Sequence, residues 1–143
     1  MKLNFQLETD AKLENLAMIA DFIFHSMNDF DLDEKTVHQI QIAVDEACTN
    51  IINHAYPQKK GKIHIICFKK EEQILIVIED WGKSWDPQSV KPPDLKSGFK
   101  ERQIGGLGIH FIKTFMDHVK YHEENGKNVL TMIKSFNSKI KLK

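Results

Sequence analysis

Apolar residues recur at two different spacings along this chain, and the switch between them marks its organisation. From Lys2 to Glu8 they alternate with polar residues, which puts Leu3, Phe5 and Leu7 on one side of an edge strand. Asp10 is then the expected cap of a helix running from Ala11 to about Met27, where Leu13, Leu16, Ala17, Ala20, Phe24 and Met27 keep three-and-four spacing. Asn28-Asp29-Phe30-Asp31 interrupts it. A second helix is predicted from near Asp33 to Ala55, burying Val37, Ile40, Val44, Ala47 and Ile51, and Pro57 closes it.

Beyond Pro57 the period changes to two. Lys62 to Lys69 and Gln73 to Glu79 are β-branched apolar runs around Lys70-Glu71-Glu72, the pattern of an antiparallel hairpin. From Lys83 to Ile104 no period exists, and Pro87, Pro92, Pro93 and Gly98 are scattered among polar residues. A stretch this long inside a compact domain is functional or disordered, and it reads as a lid over about 83–104. Helical spacing returns from Gly105 to about Lys120. Val119 to Glu123 and Asn128 to Lys134 then pair around Asn125-Gly126, a strong hairpin-turn dipeptide. The order βααββ, lid, αββ places strands in hairpins and helices in neighbouring pairs. It predicts a two-layer α/β sandwich, a mixed and mostly antiparallel sheet covered on one face by helices, and argues against a doubly wound parallel sheet.

Composition narrows the function classes. The 143 residues fit a single domain spanning 1–143, with 41% hydrophobic and 28% charged residues, a profile that folds. Twenty basic residues balance twenty acidic ones, so no global field draws the chain onto nucleic acid or an acidic membrane. No stretch has the length and apolarity of a membrane span or the form of a secretory leader, which points to the cytoplasm. Cys48 and Cys67 are too few and too far apart for a zinc set or a disulfide framework and are expected to be buried thiols.

Against this ordinary background several residues stand out. Glu46 and Asn50 form an i, i+4 pair about 6 Å apart along the helix axis, and His54 continues the row. The row lies opposite the apolar stripe, so it is either a solvated face or the wall of a site. Asn50 and Asn53 are poor helix formers in mid-helix, and Glu46 lies toward the end where the dipole disfavours an acid. Such local cost without local gain points to function. Asp80 ends the apolar run Ile74-Leu75-Ile76-Val77-Ile78, from which its carboxylate can accept a hydrogen bond from the exocyclic amine of a base; the alternative is a turn aspartate before Gly82. Gly82 either admits a ring close to the backbone or supplies a positive φ.

Gly105-Gly106-Leu107-Gly108 opens the last helix, whose buried side is Ile109, Phe111, Ile112, Phe115 and Met116. Three glycines at a helix start either cradle a phosphate on unpaired backbone amides or act as a hinge. The preceding loop carries Lys83, Lys91, Lys96, Lys100 and Arg102, of which Arg102 stands nearest the glycines and is best placed to meet a terminal phosphoryl group; solvated loop charges are the alternative. Trp81 and Trp85 flank the Asp80 loop, with packing as their default role. No G-x-x-x-x-G-K-[ST] run occurs, and no G-x-G-x-x-G follows the first strand, so neither a P-loop nor a dinucleotide fingerprint is present. The other six histidines lack metal-ligand spacing.

Glu46-x-x-x-Asn50-x-x-x-His54-Ala55, Asp80-x-Gly82-x-x-x-Asp86-Pro87 and Gly105-Gly106-Leu107-Gly108-Ile109, in this order and separated by a lid, resemble the N, G1 and G2 boxes of the GHKL ATPase superfamily. Within it the chain looks most like the small stand-alone serine-protein kinases that act as bacterial anti-sigma factors, to which Val44-Asp45-Glu46-Ala47 and Gly108-Ile109-His110 followed by Phe115-Met116-Asp117 are similar. The resemblance implies the Bergerat fold with an ATP lid and an ATP–Mg²⁺ site. Asn50 is then the Mg²⁺ ligand and Glu46 the general base toward a serine or threonine hydroxyl on a protein. Asp80 reads the adenine amine, Gly82 admits the ring, Gly106 and Gly108 hold the phosphates, and Thr131 occupies the strand position where the family often places a threonine near adenine. His54, Gly105, Leu107 and Arg102 complete the implied nucleotide contacts.

The resemblance also implies a function. An ATP-dependent protein-serine/threonine kinase would phosphorylate an anti-anti-sigma partner of the STAS type and hold a sigma factor inactive, with a homodimer as a common assembly in the family. A rival from another class is a non-catalytic binding module whose nucleotide only sets the shape of the lid. Glu46 favours catalysis, because a pure binding site has no use for a base there.

Overall fold

The computed structural model describes residues 4–58, 60–84 and 106–136. Period-two alternation builds a single five-stranded sheet from β1 (Asn4–Asp10), β2 (Lys62–Lys70), β3 (Gln73–Asp80), β4 (His118–Glu124) and β5 (Lys127–Ser135), in the order β1-β2-β3-β5-β4. The expected sheet, mixed and mostly antiparallel, is antiparallel at every described pairing. Connectivity explains this. Two helices, α1 (Leu16–Asp29) and α2 (Glu34–Asn50), separate β1 from β2 and return the chain in the opposite direction. A single helix, α3 (Gly106–Phe115), separates β3 from β4, so those two strands run the same way, but β5 is inserted between them and no parallel pair forms.

Local chemistry sets the element ends. Asp10 remains in β1 and does not cap the first helix; its backbone carbonyl accepts from Asn15 Nδ2 at 3.0 Å, a turn over Leu13–Asn15 intervenes, and α1 begins at Leu16. Asp33 does cap α2, its Oδ1 accepting from the Thr36 backbone N–H at 2.8 Å. The last helix stops at Phe115, short of the expected Lys120. Lys134 Nζ donates to the Phe115 carbonyl at 2.6 Å, and Asp117 Oδ2 accepts from the Ser135 N–H at 2.6 Å, so Met116 and Asp117 turn the chain into β4. The β4–β5 turn is the anticipated one, with Asn125 at φ 53° and Gly126 at φ 78°.

The helices cover one face of the sheet. Ile63, Ile65, Cys67, Ile74, Ile76, Ile78, Leu130 and Met132 point inward and meet Ile19, Ile23 and Met27 of α1, Val37, Ile40, Val44 and Ala47 of α2, and Ile112 of α3. Cys48 and Cys67 are both free and fully buried, as expected, and burial pushes the Cys67 thiol up to about 12. Among the described residues no helix is long and apolar enough to cross a membrane.

The other face carries a polar ladder across four strands. Glu79 accepts from His64 Nδ1 at 2.8 Å and from Lys127 Nζ at 3.0 Å, while His64 Nε2 lies 3.0 Å from Gln6 Oε1. Burial alone would raise the Glu79 carboxyl, but the hydrogen bonds and charges of His64 and Lys127 outweigh it and hold the group below the ordinary carboxylate value. A carboxyl depressed in the folded state stabilises the protein above its unfolded value, about 4.3, and that contribution disappears as pH falls through the folded value. Glu79→Gln is therefore expected to lower the urea midpoint at about pH 7 and to lose this effect near about pH 3. An equal deficit at both pH values would contradict the assignment.

Candidate nucleotide site

The site residues gather at one end of the sheet, where α2 finishes and β3 leaves the core. Glu46 is half-buried on α2. Burial first, and the neighbouring charge of Asp45 second, raise its carboxyl above the ordinary range. One turn on, Asn50 is 2% exposed and its Nδ2 makes no hydrogen bond among the described residues. An unsatisfied buried amide costs about 1–3 kcal/mol. A half-turn of the amide exchanges its ends, so this position can offer either a donor to an anion or an oxygen to a hard cation.

The α-helix does not run straight through to His54: it ends at Asn50, and Ile51–Ala55 forms a wider π-helical turn with i→i+5 backbone bonds. His54, within that turn, is half-buried. The wide turn has a second effect. The Ala55 carbonyl accepts from the Lys83 N–H at 2.7 Å, and the Tyr56 hydroxyl accepts from the Trp81 N–H at 2.8 Å while donating to the Lys62 carbonyl at 2.7 Å. The loop after β3 is thus tied to the end of the helix that carries Asn50.

Gly82 is required by that tie. A Cβ at this position would lie 2.2 Å from the Ala55 carbonyl oxygen and 2.9 Å from Tyr56 Cδ1. Close backbone approach therefore explains the glycine without a ring beside it. Asp80, immediately before, is 5% exposed. Its Oδ1 accepts from the Gly82 N–H at 2.9 Å and from Asn128 Nδ2 at 2.8 Å. Burial raises this carboxyl and the two hydrogen bonds pull it back, with burial the larger influence.

Thr131 and Asp80 are not brought together. In β5 Thr131 stands opposite Val77, whereas Asn128 stands opposite Asp80. Three residues separate Asn128 from Thr131, so strand alternation puts Thr131 on the face turned away from the helices. Asn128 is the site residue that the sequence reading missed. Its available signal was a strand-poor amide at the inward position two residues after the Asn-Gly turn. Trp81, for which packing was the default, is 47% exposed.

The third component arrives from α3. Its C-terminus is bound to Lys134, six residues along β5 from Asn128, and Ile112 and Met116 join the core. The helix is ten residues, about 15 Å, long, and it packs beside α2. Its glycine-opened N-terminus carries the partial positive end of the helix dipole. Arg102, Gly105 and the lid from residue 85 onward lie outside the described residues, as does the Leu107 side chain.

A buried acid at a strand end, a buried amide whose Nδ2 has no partner among the described residues, and a third helix that opens on glycine are carried by one two-layer sandwich. The chain belongs to the histidine kinase-like ATPase domain family, whose model matches residues 9–134. It is 30% identical over 129 residues to serine-protein kinase RsbW of Bacillus cereus, covering 87% of this chain and 81% of that one. The fold matches about a third of a chain holding the RsbU and RsbW domains of Rv1364c from Mycobacterium tuberculosis (TM-score 0.65, 11% identity, 94% of this chain and 32% of that one). It is shared also with a chain of the SiaB–SiaC complex from Pseudomonas aeruginosa (TM-score 0.60, 13% identity, 93% of this chain and 89% of that one).

Gly82→Ala is expected to force the loop off Ala55 and cost about 1–3 kcal/mol in urea unfolding, the usual range for overpacking against a rigid neighbour. Unchanged stability would show that the loop tolerates the extra carbon and is not fixed by this contact.

Proposed function

We propose that this protein is an ATP-dependent protein-serine/threonine kinase that acts as an anti-sigma factor, phosphorylating a STAS-type anti-anti-sigma protein and sequestering a sigma factor. The observation that carries the reading is the pairing, one turn apart on α2, of a half-buried carboxyl at Glu46 with the buried amide of Asn50, whose Nδ2 has no partner among the described residues. Relationship to a serine-protein kinase over most of the chain supports it. The cytoplasm, where ATP and sigma factors are found, is its proposed location.

The residues fit an ATP–Mg²⁺ ligand. An amide oxygen is the hard donor Mg²⁺ accepts, and that ion keeps most of its shell for water and phosphate oxygens, so Asn50 alone among these side chains can suffice. Bound there, Mg²⁺ supplies charge neutralisation to the phosphates. Asp80 Oδ2 accepts from the adenine amine, the amides at Gly106 and Gly108 receive the phosphates, and Arg102 is the lid cation for the terminal phosphoryl group. Glu46 takes the serine hydroxyl proton as the new O–P bond forms and the bond to the β–γ bridging oxygen breaks, leaving ADP. A raised carboxyl suits this task, since a base near the working pH holds the proton more firmly than an ordinary glutamate. A homodimer through the outer sheet face, where Ile66, Phe68, Leu75, Val77 and Ile133 are only half-buried, is the proposed assembly, which sedimentation velocity reads directly and a monomer at micromolar concentration would refute.

Labelled ATP with a STAS-type partner tests the assignment. Glu46→Gln is expected to slow partner labelling by roughly 10²–10⁴-fold while ATP still binds. In the wild type, labelling should rise with pH through a window above that of an ordinary glutamate, because only the ionised carboxyl accepts the proton and burial has moved it upward. Equal labelling by the variant would remove Glu46 as the base, and no labelling by either protein, with ATP bound, would favour a nucleotide-set binding switch.

A further inference from the structure

One row of residues crosses the inner face at the end of the sheet, with Ile63, Asp80, Asn128 and Glu123 opposite one another on adjacent strands. Asp80 and Asn128 are each 5% exposed. The two hydrogens of Asn128 Nδ2 are both used, one on Asp80 Oδ1 at 2.8 Å and one on the Gly82 carbonyl at 3.0 Å, and its Oδ1 lies 3.4 Å from Ser84 Oγ. With the Gly82 N–H also on Asp80 Oδ1, that oxygen accepts twice and the carboxylate plane is fixed. Among the described residues nothing else bonds the carboxylate, which leaves Oδ2 to meet a ligand.

Such an arrangement selects by proton count. An ionised carboxylate can only accept, so it pairs with an amino group and repels a carbonyl oxygen; a protonated one can donate and reverses that choice. The burial that excludes water from Asp80 favours the protonated form, and the Asn128 and Gly82 hydrogens oppose it. Gly82 contributes a backbone N–H that no side-chain change removes. Asn128 is the side chain that holds the balance.

We propose that Asn128 is the positioning residue for base selection: by saturating Asp80 Oδ1 and anchoring the Gly82 loop, it presents Oδ2 as an acceptor that admits a 6-amino purine and rejects a 6-oxo purine. This rests on the reading of the Asp80 end as the base subsite of an ATP site. Asn128 acts through Asp80 and need not touch the nucleotide.

ATP and inosine triphosphate exchange an amino group for a carbonyl at position 6, with the matching change in protonation at N1, and so isolate the effect. Their affinities for the full chain are measured by calorimetry from about pH 5 to about pH 8, for the wild type, Asn128→Leu, which keeps the shape and removes both donors, and Asp80→Asn. The wild type is expected to prefer ATP at neutral pH and to lose that preference toward the acid end, as Asp80 gains a proton. In Asn128→Leu the preference at neutral pH should shrink by at least about tenfold, the size of one charge-assisted hydrogen bond, and its loss should begin at higher pH. Circular dichroism and a urea midpoint establish that the variant is folded. Should it fail to fold, the wild-type pH series decides alone, and an ATP preference that does not vary with pH overturns the proposal. A folded variant with the wild-type ratio and pH profile overturns it too, leaving Asn128 a structural residue while ATP binding stands. No binding of either nucleotide to the wild type overturns the ATP reading and this proposal together.

Discussion

One helix has to satisfy two demands, and the rest of the molecule is arranged around that conflict. α2 buries Val37, Ile40, Val44 and Ala47 against the inner face of the sheet, which fixes its rotation about its own axis. The same rotation carries Glu46 and Asn50 to the sheet end, where one is half desolvated and the other has a buried nitrogen without a partner among the described residues. Folding alone offers no return for either. A leucine or alanine at position 50 would remove a cost of about 1–3 kcal/mol, which is the ground on which a ligand role is proposed for the amide.

Precision at that end comes from how α2 finishes. The π turn lets the Ala55 carbonyl reach the Lys83 N–H and brings Tyr56 under the Trp81 N–H. Asp80 is therefore positioned twice over, by the register of β3 between β2 and β5 and by a loop bound to the helix facing it. The C-terminal end of α2 is partially negative and the N-terminal end of α3 partially positive, which is the charge pattern that the proposed cation and phosphate contacts would use. Phosphoryl transfer asks for little beyond such placement and charge compensation.

Much of this was legible in the chain because the signals were local. Alternation in Ile63–Cys67 and Ile74–Ile78 wrote the central strands, and Asn125-Gly126 wrote the last hairpin. What escaped depended on register between distant segments. Whether Asn128 or Thr131 faces Asp80 is decided by the parity of β5 counted from its turn, and the Asp80–Asn128 pairing joins residues 48 apart in the chain. The π turn left no compositional mark, so an α-helix was expected to run to Ala55 where it ends at Asn50. Asp10 looked like a cap because aspartate before an apolar period usually is one, yet pairing with Lys62 across β1 and β2 kept it in the sheet. In each case a tertiary constraint overrode a sound local preference.

The most direct measurement compares wild type and Asn50→Ala in two experiments on the same preparations, urea unfolding and calorimetric titration with ATP in the presence and absence of Mg²⁺. An amide kept for its ligand predicts that the variant is at least as stable as the wild type while its Mg²⁺-dependent ATP binding is lost. A variant that is clearly less stable yet binds ATP with the wild-type Mg²⁺ dependence would mean that Asn50 serves the fold, and the account built on it would be wrong.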